Sequence, residues 1–459
     1  MFFKKKKIKS KQQKIQKIPL ILGTLGVLCI LFLWSIVVHG MNNINFQVFD
    51  FANSSGSLNI FWGNNNPSDE NKDMTYILIT GRWGGTHDAP NLTDTIILAG
   101  LNKKNETITL FSLPRDFYVK YPESGYGRIN GVYERYILEG EDVAMQKLSE
   151  TISMITGKNI DFYVNIDFQG FIEIVDALGG VEVTLEKNFA DYEYPDGNRG
   201  YKTFILREGT WVLDGEVALM YARSRHSTSD FDRSLRQQEI ISGIKKKAGE
   251  LGYLKDRKKI LELYDIFKEY VVTDLSLTDM VKLGLMVRGW DDSQTLSFNL
   301  SYECGALECK PGAFLYAPDR NLFGGASVLL PVGGSTSKIT AYEDIQKFSN
   351  LIYDKSSLYV QPQKITIHNN SSKTGLARQL TETLRPYWFD VEALNTTKQE
   401  LAWESLQESI LYYNGIDEDN QTLEALKTFL DIPMQKIETP KYSGSGTNIE
   451  IILAGNITF

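Results

Sequence analysis

The chain has 459 residues, 42% of them hydrophobic and 12% aromatic, which is a globular composition and enough length for two or three folded units. Its formal net charge is −8, but the charge is unevenly spread. The first 17 residues, MFFKKKKIKSKQQKIQK, hold eight lysines and no acid, which leaves 41 basic against 57 acidic groups in the rest.

Residues 18–40, IPLILGTLGVLCILFLWSIVVHG, form a 23-residue run without a charge when His39 is neutral. That is long enough to span a bilayer, with Trp34 near the far interface. A signal peptide would have a shorter apolar region followed by a small-residue cleavage site, and SIVVHGMNN is a poor one. The reading is therefore an uncleaved transmembrane helix at the plasma membrane. Residues 1–17 become a basic cytoplasmic tail, and residues 41–459 lie outside by the positive-inside bias. A lysine run abutting a span reads as a topology signal that also attracts anionic lipid, rather than as a nucleic-acid site.

Residues 41–73 are too poor in apolar groups to fold alone and read as a polar linker. From Met74 the pattern changes. MTYILIT, TDTIILAGL and ETITLFSLP predict strands, and DVAMQKLSETISMITG has helical spacing. DFYVNIDFQGFIEIVDALGGVEVTL reads strand, helix, strand. Strands alternating with helices predict an α/β core with helices on both faces of a sheet, over residues 74–353. After a linker at 354–362, residues 363–459 repeat the alternation on a smaller scale and predict a second α/β domain. Cys304 and Cys309 sit close together outside the cytoplasm, which suggests a local disulfide, with two free thiols or a metal site as the alternatives.

Four histidines, His39, His87, His226 and His368, show no zinc-like spacing. Nucleophile elbows, Walker loops and G-x-G-x-x-G turns are missing from the sequence. What remains is a set of aspartates and arginines in three clusters. Asp94 opens the strand TDTIILAG, and Asp88 precedes it in the Gly-rich loop GRWGGTHDAP. Either is an ordinary turn residue taken alone; together they would suit a hard divalent cation that binds substrate phosphates. Arg115 and Asp116 follow the strand TITLF, and GRINGVYERY adds Arg128, Asn130 and Arg135. A surface ion pair is the plain alternative there.

The third cluster is YARSRHSTSDFDRSLRQQE. Arg223 and Arg225 arrive from an apolar run. On a helix beginning near Phe231, Arg233, Arg236 and Gln237 fall at i, i+3 and i+4, on one face. Local acids are too few to neutralise four arginines, which points to an external, multiply charged anion. Arginine rather than lysine suits planar contact with phosphate.

LTDTIILAGLNKKNETITLFSLPRDFYV, RINGVYERY, IDFQGFIEIVDALGGVEV and LDGEVALMYARSRHSTSDFDRSLRQQEII together resemble the LytR-CpsA-Psr family of cell-envelope proteins, in order and spacing. The match is strong over about residues 75–250 and looser to 345, and residues 363–455 resemble the LytR C-terminal domain. The resemblance implies a three-layer α-β-α sandwich around a mixed sheet. It implies Mg²⁺-assisted transfer of a glycopolymer from a polyprenyl-pyrophosphate carrier to peptidoglycan. It assigns Asp94 to the metal and Arg115 to the phosphates. Arg223, Arg225, Arg233, Arg236 and Gln237 complete the phosphate pocket. The chain departs from the family at Arg82, where members commonly carry an Asp, so either Asp88 supplies that carboxylate or the metal is held differently. A lipid-linked glycan binder and a pyrophosphatase are the competing readings. A transcriptional regulator conflicts with a cytoplasmic tail of only 17 residues.

Overall fold

The computed structural model describes residues 72–84, 89–195, 200–224, 236, 240, 243, 265–266, 268–287, 290, 294–302, 310–394, 408–440 and 446–454. The basic tail, the apolar run 18–40, most of the polar linker, and Cys304 and Cys309 lie outside these residues. Among the described residues no helix is long and apolar enough to cross a membrane.

The central sheet starts with β1 (Met74–Arg82), β2 (Thr93–Asn102) and β3 (Thr107–Ser112). β1 and β2 are buried almost throughout, as strands covered on both faces must be. A small hairpin follows, β4 (Tyr118–Lys120) with β5 (Tyr126–Arg128). β6 (Phe162–Asp167) returns to the sheet. Two outlying pairs come next: β7 (Val181–Leu185) with β10 (Gly209–Leu213), and β8 (Phe189–Pro195) with β9 (Tyr201–Leu206). β11 (Val271–Thr273) and β12 (Thr295–Asn299) complete a mixed sheet in the order β11-β6-β1-β2-β3-β12. β1 runs antiparallel to β2 and parallel to β6, so the ends of β1 and β6 meet the start of β2 at one edge.

Alternate residues of these strands face opposite sides. Leu78, Ile96, Leu98 and Phe111 enter one core with the helix Glu141–Thr156, whose Ala144, Met145, Leu148 and Ile152 share a stripe. Ile77, Ile79, Ile97 and Ala99 enter the other, against the helices Phe168–Ala177 and Gly215–Arg223. Both helices are N-capped by aspartates: Asp167 accepts from Gln169 N at 2.6 Å and Asp214 from Val217 N at 2.8 Å.

After the short pair β13 (Leu315–Tyr316) and β14 (Leu330–Pro331), a second sheet forms from β15 (Lys364–Asn369), β16 (Asp390–Leu394), β17 (Ile410–Tyr413), β18 (Met434–Lys436) and β19 (Ile449–Leu453). Its order is β16-β15-β19-β17-β18. The segment expected as a linker, 354–362, holds the helix Ser357–Val360 with Leu358 and Tyr359 buried. The hydrophobic core continues from the first sheet to the second. Phe348 is the hinge of that continuity, with ring centres 5.6 Å from Phe111, 5.7 Å from Phe298, 5.0 Å from Phe314 and 6.2 Å from Tyr387. Tyr387 also donates to Asp344 at 2.9 Å.

Candidate functional site

Asp94 lies at the start of β2, where three segments converge. Pro114 O accepts from Phe117 N at 3.0 Å, closing a turn whose two middle residues are Arg115 and Asp116. Asn130 N donates to Arg115 O at 3.4 Å and Ile129 N to Phe117 O at 2.7 Å, which zips the RING segment onto that turn. Thr93 N donates to Asn130 O at 3.1 Å, tying in the start of β2.

The side chains follow. Asp94 Oδ2 accepts from Arg115 Nη1 at 2.9 Å and from Trp83 Nε1 at 3.1 Å, and Asp94 Oδ1 accepts from Asn130 Nδ2 at 3.1 Å. Asp116 lies 3.8 Å from Arg115 Nε and 3.1 Å from Arg128 Nη1. Arg115 and Arg128 are partly open to solvent, with 43% and 46% of their side chains exposed, so they can exchange a protein partner for an anion. The structure thus brings Asp94, Arg115, Asp116 and Arg128 into one chain of ion pairs.

Arg223 ends the helix Gly215–Arg223 and forms the opposite wall. Its guanidinium carbon lies 3.8 Å from the Trp83 ring centre and 5.1 Å from that of Phe168. Trp83 therefore touches both walls: its ring lies under Arg223 and its N–H holds Asp94. The sequence reading missed it. The only signal was a lone large aromatic inside the glycine-rich GRWGG loop. Gly84 beside it, at φ +69, runs so close to Asp167 that a Cβ there would fall 1.6 Å from Oδ2, so only glycine fits.

Arg236 departs from the expectation of a phosphate contact. It is buried, 5% exposed, with Nε donating to Tyr221 O at 3.0 Å and Nη2 to Ser224 O at 2.6 Å. These carbonyls close the end of the helix Gly215–Arg223, where intrahelical donors run out and a cation is favoured. Helical spacing explains the burial. Ile240 and Gly243 follow at i+4 and i+7 and are buried too, with Gly243 pressed against Val181 and Glu182. Arg225, Arg233, Gln237 and Asp88 lie outside the described residues.

Arg82, the last residue of β1, precedes Trp83 in the chain. Its guanidinium meets Asn91 at 3.3 Å, Glu141 at 3.5 Å and Asp167 at 4.0 Å. Burial pushes the Asp167 carboxyl above its usual range, against the opposing pull of Gln169 N–H and of Arg82. Of the two aspartates expected to hold Mg²⁺, only Asp94 lies among the described residues. Mg²⁺ requires near-octahedral oxygen ligands. Three N–H donors already surround Asp94, and no group of three acids, histidines or cysteines that could hold a metal occurs among the described residues.

The LytR_cpsA_psr family model matches residues 48–320, more than half of the chain. The chain is 30% identical over 220 residues to the polyisoprenyl-teichoic acid–peptidoglycan teichoic acid transferase TagT of Bacillus subtilis, covering 47% of this chain and 64% of that protein. It is 34% identical over 198 residues to TagU of Enterococcus faecalis, covering 43% and 59%. The chain thus spans about three fifths of the length of these relatives. Among solved structures, TagV of B. subtilis aligns over 62% of this chain and 98% of its own, at 23% identity and a TM-score of 0.42. The chain belongs to the LytR_cpsA_psr family.

Proposed function

We propose that this chain is a membrane-anchored phosphotransferase that moves a glycopolymer from a polyprenyl-pyrophosphate carrier to peptidoglycan, outside the plasma membrane. The observation that carries the reading is the convergence of Arg115, Arg128 and Arg223 around Asp94 and Trp83. Guanidinium groups held in place by acids and an aromatic ring suit a pyrophosphate, whose oxygens accept planar, paired contacts. The relatives' names supply teichoic acid as the first polymer to test.

In the proposed reaction a hydroxyl of the acceptor attacks the phosphorus that bears the glycan. A new P–O bond forms, the bond to the bridging oxygen breaks, and the lipid leaves as its monophosphate. The hydroxyl proton passes to solvent. Arg115 and Arg223 hold the non-bridging oxygens, with Arg225, Arg233 and Gln237 assigned beside them from the sequence. Such preorganised contacts are worth about 2–4 kcal/mol each in the transition state. Asp116 sits between two guanidinium groups and orients them. The apolar run 18–40 would keep the domain at the surface where the lipid substrate lies.

The test uses the full chain in detergent with a lipid-pyrophosphate-linked glycan and peptidoglycan. Covalently attached glycan is expected with the wild type and at least 100-fold less with Arg115→Ala. Release of free glycan without attachment would make the protein a hydrolase and end the transferase reading.

A further inference from the structure

We propose that the hairpin β4–β5 and the turn Arg320–Phe323 form a platform for the sugar backbone of the acceptor, an uncharged strand of N-acetylated amino sugars, at the Arg128 end of the site. The proposal rests on the phosphotransfer reading and names where its acceptor docks. In the hairpin Tyr118 pairs with Arg128 and Lys120 with Tyr126. Side chains of such pairs share a face, so Tyr118, Lys120, Tyr126 and Arg128 point one way and the fully buried Val119 points the other. The Tyr118 and Tyr126 rings lie within 13° of parallel with centres 6.5 Å apart, and Phe323 braces Tyr118 edge-on at 4.9 Å. Tyr126 is 53% exposed, and Leu322, beside Phe323, is 64% exposed.

The platform is held in place by its own backbone. Tyr121 N donates to Gly125 O at 3.0 Å and the Tyr121 hydroxyl to Arg128 O at 2.9 Å, which closes the hairpin. Tyr118 N donates to Leu329 O at 2.8 Å and Leu329 N to Asp116 O at 2.9 Å, which ties the segment after the Arg320–Phe323 turn to the hairpin and to Asp116. Rigid aromatic surface of this kind loses little conformational entropy on binding.

Two observations select the occupant. The first is continuity with the site. Arg128, on the same face as the tyrosines, meets Asp116 at 3.1 Å, and Asp116 leads through Arg115 to Asp94. A polymer lying on the tyrosines therefore reaches the phosphate arginines. The second is charge. Across the hairpin and the turn, Asp116, Glu123 and Asp319 balance Lys120, Arg128 and Arg320. A polyanionic donor polymer would be met by cations in excess, whereas a neutral polysaccharide needs none. Sugar rings offer an apolar C–H face to aromatic rings and hydroxyl edges to the polar groups around them, a mixed surface that tyrosine suits. A lipid chain requires an enclosed apolar site, and this face is open.

The experiment titrates the full chain in detergent with soluble N-acetylglucosamine oligosaccharides, read by saturation-transfer NMR, without lipid or phosphate. Its outcome is thus separate from that of the transfer assay. The wild type should bind. Tyr126→Ala should weaken binding roughly fivefold or more, and Tyr126→Phe should stay within about twofold, because the ring supplies the contact. Arg115→Ala should bind the oligosaccharide as the wild type does. In transfer assays Tyr126→Ala should raise KM for peptidoglycan and leave KM for the lipid donor unchanged. If Tyr126→Ala is unfolded by thermal denaturation, Tyr126→Gln serves, with the same expected loss. A wild type that does not bind overturns the proposal, and so does a folded Tyr126→Ala or Tyr126→Gln that binds as well as the wild type. Binding of poly(glycerol phosphate) that is lost in Tyr126→Ala would give the platform to the donor polymer and overturn it too.

Discussion

The guanidinium of Arg223 lies 3.8 Å from the centre of the Trp83 ring, and the same indole donates to Asp94 at 3.1 Å. One side chain therefore joins the arginine helix to the start of β2 and fixes the spacing of the two walls. Trp83→Phe keeps a ring under Arg223 and loses the N–H. A hydrogen bond to a charged group contributes about 1.5–3 kcal/mol, so kcat for glycan transfer should fall roughly tenfold or more with little change in KM. Trp83→Leu removes the cation–π contact as well, and its KM should rise. Steady-state transfer assays separate the two; equal effects of both variants on KM would refute the division of labour.

Arg115 is committed to Asp94 by one Nη and faces Asp116 with its Nε. A lysine has neither the fork nor the reach to serve both acids and a phosphate. Arg115→Lys should retain less than a tenth of wild-type transfer, while its thermal midpoint stays within about 2 °C because exposed pairs contribute little to stability.

Arg236 should behave in the opposite way. Removing it leaves two helix-end carbonyls without this donor and opens space over Phe189, 4.6 Å from the guanidinium carbon. Arg236→Met should cost about 2–3 kcal/mol of stability, read by chemical denaturation. A variant that loses phosphate binding at full stability would restore Arg236 to the cradle.

Phe348 contacts Phe111 and Phe298 of the first sheet and Tyr387, in the turn that leads into the second. Phe348→Ala should destabilise the protein by about 3–5 kcal/mol. Because the core runs between the sheets without a break, probes placed in each should report one shared transition rather than two.

The second sheet carries a pH-sensitive group. His368 is fully buried with its Nε2 3.9 Å from Glu450, and burial lowers its pKa from 6.5 despite the pull of that acid. The unfolded chain therefore binds a proton at higher pH than the folded one. Stability is complete above about pH 6.5 and falls as the pH drops from there to the folded pKa. His368→Gln should flatten this acid-side slope in denaturation midpoints measured between pH 7 and pH 5.

The sequence by itself determined the parts that depend on local pattern. Apolar runs at strand length placed the first sheet, the 3.6-residue stripe placed Glu141–Thr156, and the charge imbalance around Arg223 demanded an anion. The motif order gave the family. The sequence also brought Arg115, Asp116 and Arg128 under suspicion, because charged residues at strand ends and in Gly turns have few structural reasons to be there. Tertiary structure decided what each charge faces. Arg233 and Arg236 look equivalent in the sequence, yet Arg236 is one helical turn from buried Ile240 and closes a helix end. Trp83 is an anonymous loop aromatic until β1 and the helix Gly215–Arg223 are set side by side. Arg82 reads as a missing carboxylate until the β1 bulge sets it between Thr93 and Asp167, close to Glu141. Periodicity reports which side of an element is apolar. Which acid meets which guanidinium depends on strand register, and register is fixed by packing across the whole sheet.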